Sequence, residues 1–99
     1  MTATILDGQA LADTVKQQVA AQVKDLSITP GLGTILVGDD SASHSYVGAK
    51  IRDCEEVGIA SIHEHLPADI QQTELEAVIQ RFNSDPNVHA YIVQLPLPP

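Results

Sequence analysis

The sequence predicts an α/β fold, a three-layer parallel sheet in βαβαβ order with one further helix in front of it. Three observations predict it. Strand-like runs near residues 33–37, 59–66 and 89–95 alternate with stretches of helical periodicity. The connections between them are short and built from Gly, Pro, Asp and Asn. The first run, Gly33 to Val37, is apolar without alternation, the pattern of a strand covered on both faces. Strand, helix, strand, helix, strand in this arrangement makes a parallel layer with right-handed crossovers.

Each element has its own signals. Asp7-Gly8 opens a helix in which Leu11, Val15, Val19, Val23 and Leu26 recur at three- and four-residue spacing. That stripe can cover one face of the sheet, with Lys16 and Lys24 off it in solvent. Thr29-Pro30-Gly31 ends the segment. After the first strand, Asp40, Ser41 and Ser43 supply good N-cap residues for a helix from about Ser41 to Val57, and Gly58 stops it. Ile59 to Leu66 reads as the second strand, closed by Pro67. Gln72 to Asn83 is a helix with Leu75, Val78, Ile79 and Phe82 on one face. Asp85-Pro86-Asn87 turns the chain into a strand from His89 to Leu95, and Pro96-Leu97-Pro98-Pro99 makes a rigid rim loop. A three-stranded parallel sheet with no closing helix exposes apolar surface. The expectation is therefore an incomplete piece of a larger protein.

The totals exclude several classes. A net charge of −8 with only five basic residues argues against nucleic acid and anionic membrane surfaces. No apolar run approaches the ~20 residues of a membrane span, and no secretory signal is visible at the N-terminus. One cysteine makes no internal disulfide, which fits a reducing, cytoplasmic setting.

The candidate site comes from the second helix and the third strand. Ser43, Tyr46 and Lys50 share one side of the helix, beside Val47, Ile51 and Cys54, so the polar trio borders the buried face. Ligands of open parallel sheets bind beyond the carboxyl ends of the strands. Lys50 leans back toward that rim, and Gln94 reaches it on the strand face shared with Ala90 and Ile92. A lysine partly withdrawn from water there is a usable acid/base. Tyr46 offers a flat ring and a hydroxyl, and Gln94 can orient the lysine or a water. The residues alone leave equally open a Lys50 that snorkels and a Tyr46 that only packs.

Ser43-x-x-Tyr46-Val47-x-x-Lys50, then Glu55-Glu56-Val57-Gly58-Ile59 and Val93-Gln94-Leu95-Pro96-Leu97-Pro98, closely resemble the methylenetetrahydrofolate dehydrogenase/cyclohydrolase family. Ile5-Leu6-Asp7-Gly8 and Thr34-Ile35-Leu36-Val37-Gly38 fit as well. The resemblance runs through nearly the whole chain and covers the first third of such an enzyme. It implies that residues 1–99 are the N-terminal portion of a folate-binding catalytic domain. The implied activity is NADP-dependent oxidation of 5,10-methylenetetrahydrofolate to the methenyl form, then hydrolysis to 10-formyltetrahydrofolate. By position, Lys50 is the acid/base, Tyr46 stacks on the folate, Gln94 tunes and orients Lys50, and Ser43 lines the site. The resemblance also implies an aspartate, beyond Pro99, that grips the pterin. It further implies that NADP binds a Rossmann domain absent from this chain, so no cofactor-binding residue is expected here, and the whole enzyme is expected to be a cytoplasmic homodimer. This chain alone should neither transfer hydride nor bind folate tightly. Consistently, Gly31-Leu32-Gly33 precedes a strand instead of following one, and no dinucleotide fingerprint occurs.

Other residues read more plainly. Cys54 is a small buried filler. His63 and His65 share a strand face, but no third ligand stands at metal spacing, so no metal site is expected. His44 and His89 read as surface positions, with His44 at most brushing the pocket. Asp39 and Asp40 read as caps of the second helix. A rival reading takes these acids as the Mg²⁺ ligands of a receiver-like signalling domain, which needs a phosphate-accepting aspartate where Gln94 stands. A non-catalytic folate-binding module is the other alternative.

Overall fold

The computed structural model describes residues 2–99. Its elements run α1 (Gly8–Lys24), β1 (Gly31–Val37), α2 (Ser41–Val57), β2 (Ala60–Leu66), α3 (Gln72–Ser84) and β3 (Ala90–Val93). The three strands form one parallel sheet in the order β2-β1-β3. The expected βαβαβ arrangement with a leading helix is thus present, and β1 is its centre.

The glycines and prolines explain the boundaries. Asp7 caps α1 by accepting from the Ala10 N–H at 3.0 Å. The helix ends at Lys24, so Leu26 lies in the following turn and not on the helical stripe. Gly58 closes α2 at φ 87°, a left-handed conformation that costs glycine little, and Ile59 N–H reaches back to the Cys54 carbonyl at 2.9 Å. β1 begins two residues earlier than its apolar run, at Gly31. A Cβ on Gly31 would stand 1.9 Å from the Asn87 carbonyl oxygen, so the loop before β3 can cross this close only over a glycine. β3 is shorter than its sequence signal and stops at Val93. Gln94 stands just past it, although its N–H still bonds the Ile35 carbonyl at 2.9 Å. The following Leu95–Pro96 bond is cis.

Alternation along β1 divides the core. Ile35 and Val37 face α3 and form a cluster with buried Phe82, joined by Leu75, Val78, Ile79, Tyr91 and Val93. Thr34 and Leu36, both nearly solvent-free, face the other way. There α2 packs against β1 and β2. Cys54 is buried as a filler in this layer, and burial pushes its thiol pKa up.

α1 departs from expectation. Its apolar stripe does not cover the sheet: the helix has no buried residue and packs chiefly on α2. Lys16, expected in solvent, bridges Asp53 at 3.0 Å and Glu56 at 2.7 Å on α2. The Glu56 hydrogen bond, followed by that of Asp53, raises the pKa of this lysine. Lys24 is exposed, as its place off the stripe predicts. Leu11 and Val15 keep 65% and 46% of their surface in water.

Candidate active site

The site is built where α2 starts and β3 ends. β1 ends at Val37, just before Gly38, and Asp40 caps α2 by accepting from the Ser43 N–H at 2.9 Å. Only Asp40 serves as the cap; Asp39, read as a second one, keeps 85% of its side chain in water. The cap fixes the first turn of α2 and turns Ser43 inward, where it is 1% exposed.

From that buried position Ser43 Oγ donates to the carbonyl oxygen of Leu95 at 3.2 Å. Gln94 Nε2 donates to the same oxygen at 3.1 Å. With its amide nitrogen so engaged, Gln94 presents Oε1 to Lys50, whose Nζ donates to it at 2.9 Å. Lys50 is half-buried, and its Nζ lies 5.8 Å from the centre of the Tyr46 ring, within cation–π range. Tyr46 is 59% exposed, so it is not a core side chain and its ring stays open to solvent. Lysine, phenol ring and carboxamide therefore meet at one rim of the sheet. Ser43 stands behind them as a tether to the backbone, away from the open side.

A lysine ammonium carries three N–H donors. One is spent on Gln94, which leaves two for an oxygen or nitrogen of a bound molecule. The face of β3 that carries Gln94 stays open beside them, with Ile92 36% exposed. The arrangement can accept a flat ring on Tyr46 and move a proton at Lys50 Nζ.

The Leu95 carbonyl, which accepts from both Ser43 and Gln94, is the anchor that side-chain reasoning missed, since a main-chain acceptor leaves no signature in residue types. His44 and His89 are exposed, as expected. His63 and His65 do share a face of β2, but they separate in role. His63 Nδ1 lies 2.7 Å from Thr34 Oγ1, and His65 Nε2 lies 2.8 Å from the Gly38 carbonyl oxygen. Withdrawal of the His63 ring from solvent, then the nearby His65, lowers its pKa below the ordinary value. Asp39 and His44 come up beside His65, a meeting that the spacing of the histidines did not show.

Comparisons with known proteins point to one family. Residues 6–99 match the family described as tetrahydrofolate dehydrogenase/cyclohydrolase, catalytic domain. The bifunctional methylenetetrahydrofolate dehydrogenase/cyclohydrolase of Campylobacter jejuni is 45% identical over 96% of this chain, with a TM-score of 0.88. The 5,10-methylenetetrahydrofolate dehydrogenase of the silkworm Bombyx mori is 40% identical over 98%, with a TM-score of 0.90. The Trypanosoma brucei methylenetetrahydrofolate dehydrogenase-cyclohydrolase, solved with NADP and an inhibitor, is 32% identical over the full chain, with a TM-score of 0.92. The chain spans about 35% of the length of each of these three structures. No helix among the described residues is long and apolar enough to cross a membrane. The receiver-like alternative gives way here, since Gln94 stands where a phosphate-accepting aspartate would be needed and the family match points elsewhere. The chain belongs to the tetrahydrofolate dehydrogenase/cyclohydrolase family and carries sequence of its catalytic domain.

Proposed function

We propose that this chain supplies the folate-reacting part of a bifunctional one-carbon enzyme that oxidises 5,10-methylenetetrahydrofolate and hydrolyses the resulting methenyl compound to 10-formyltetrahydrofolate. The observation that carries the reading is the Lys50–Gln94 hydrogen bond beside the exposed Tyr46 ring. In hydrolysis, a water oxygen bonds to the methenyl carbon and one of the water protons goes to solvent. The Lys50 ammonium donates a proton to N5 as the carbon–N5 bond breaks. The formyl group stays on N10, and the second water proton returns to Lys50. Tyr46 holds the ring system by its face, and Gln94 keeps Nζ aimed at the reacting carbon.

NADP is the implied oxidant, and the residues of this chain do not fit it. Gly31 and Gly33 lie inside β1, and the one glycine at a strand-to-helix turn, Gly38, is followed by Asp39 and Asp40. Carboxylates there repel a pyrophosphate. The proposal therefore assigns NADP to sequence outside this chain and derives no hydride step from it. The same reading takes the whole protein to be a cytoplasmic homodimer acting on tetrahydrofolate substrates for purine biosynthesis.

The test is Lys50→Ala in the natural protein that carries this chain. Hydrolysis of methenyltetrahydrofolate should fall by about 10²–10⁴-fold, the usual worth of a positioned acid/base. Wild-type turnover by that variant would end the assignment. Folate binding with no turnover in the unsubstituted protein would favour the non-catalytic folate-binding module instead.

A further inference from the structure

The carboxyl rim of the sheet has a second polar cluster, on the β2 side of β1 and so away from Gln94. Asp39 from the β1–α2 turn, His44 from the first turn of α2 and His65 from the end of β2 turn their ligating atoms toward one point. Asp39 Oδ1 lies 3.4 Å from His44 Nε2 and 3.6 Å from His65 Nε2. All three atoms fall within 4.8 Å of one another. Two ligands about 2.0–2.2 Å from a tetrahedral zinc ion stand roughly 3.3–3.6 Å apart. The two carboxylate–imidazole separations already match that span. The imidazole rings meet edge to face with centroids 5.0 Å apart, and a small turn of either exposed ring closes the third side.

From these distances we propose that Asp39, His44 and His65 bind one divalent transition-metal cation of the zinc class. Two imidazole nitrogens and one carboxylate suit zinc, cobalt or nickel better than magnesium or calcium, which take oxygen ligands. The Gly38 carbonyl oxygen stands 2.8 Å from His65 Nε2, closer than two ligands of one zinc ion, and is not one of the ligands. Metal binding replaces the contact between that carbonyl and His65 Nε2 and leaves the ring proton on Nδ1. The cluster is preorganised on one side: Asp40 accepts from Ser43 N–H at 2.9 Å, and its carbonyl accepts from His44 N–H at 3.0 Å. The cation would then tie the first turn of α2 to the end of β2. The proposal is independent of the folate reading, because none of its ligands belongs to the Lys50 site.

The experiment titrates the metal-free natural protein with Co²⁺, read by visible absorption, and with Zn²⁺, read by calorimetry and thermal melting. One equivalent of Co²⁺ should give ligand-field bands, Zn²⁺ should displace it, and saturating Zn²⁺ should raise the melting temperature. His44→Gln, His65→Gln and Asp39→Asn should each weaken binding by at least about ten-fold, and the double variant His44→Gln/His65→Gln should abolish it. His89→Gln, at the opposite end of the sheet, should bind as wild type. Should His65→Gln fail to fold, Asp39→Asn decides alone, because that side chain is 85% exposed. Absence of the bands, or Co²⁺ affinity unchanged in the double variant, would overturn the proposal.

Discussion

Ser43 and Gln94 donate to one and the same acceptor, the carbonyl oxygen of Leu95, from 3.2 Å and 3.1 Å. A buried residue of α2 and a residue past the end of β3 are thereby locked together. The second hydrogen bond leaves Gln94 Oε1 free for Lys50 alone. The position of the lysine nitrogen is therefore set by main-chain geometry two bonds removed from it.

Gln94→Ala removes the acceptor of Lys50 but leaves the Ser43 tether in place. A hydrogen bond to a charged group is worth about 1.5–3 kcal/mol. Both activities of the proposed enzyme should fall on the order of 10–100-fold while the thermal melt stays close to wild type. Steady-state kinetics and a melt on the same sample check this; unchanged kinetics would remove Gln94 from the site.

Tyr46 separates ring from hydroxyl. Tyr46→Phe keeps the flat face next to Lys50 and should hold KM near the wild-type value. Tyr46→Ala should raise KM for the folate by a few-fold to about ten-fold, the range expected for one lost aromatic pair at about 0.5–1.5 kcal/mol. Equal KM values for the two variants would show that the ring does not carry the ligand.

Gly31→Ala tests the packing of the loop that leads into β3. The added methyl would sit 1.9 Å from Asn87 O and 3.1 Å from Ile62 Cδ1, and the first of these is main chain that cannot swing aside. Overpacking of this severity should cost about 3 kcal/mol or more. Urea denaturation measures it, and a loss under about 1 kcal/mol would mean that the loop moves freely.

Cys54 gives a pH dependence whose sign is fixed. Burial first, and Asp53 second, raise its pKa in the folded chain above the ordinary 9.0. The fold thus favours the neutral thiol. Well below 9.0 both states keep the proton and the full stability is present. As pH rises through that value the unfolded chain ionises first, and stability falls. Urea midpoints measured on either side of it should drop more in the wild type than in Cys54→Ala. Identical slopes would contradict the burial of the thiol.

Much of this was legible in the residues, and the gaps have physical causes. Helix α2 declared itself through Asp40 and Gly58, and its face predicted the approach of Lys50 to Gln94. The two-residue period placed Gln94 on the α2 side of β3. β3 was overestimated because His89 and Leu95 prolong its apolar pattern, while hydrogen bonding, which defines the strand, ends earlier. α1 misled because Leu11, Val15 and Val19 look like a core stripe, whereas the helix leans on α2 through Lys16. Charge pairs between separate helices leave no periodic trace. The meeting of Asp39, His44 and His65 depends on parallel strands ending at a common level, which spacing along the chain does not encode.

The strand order has a further consequence for when the Lys50–Gln94 contact can form. Because the last strand docks against the first, Lys50 waits for a partner made 44 residues later. A nascent chain that has already formed β1, α2 and β2 holds a lysine with nothing to aim it. The contact that aims this lysine therefore forms only when β3 docks on β1.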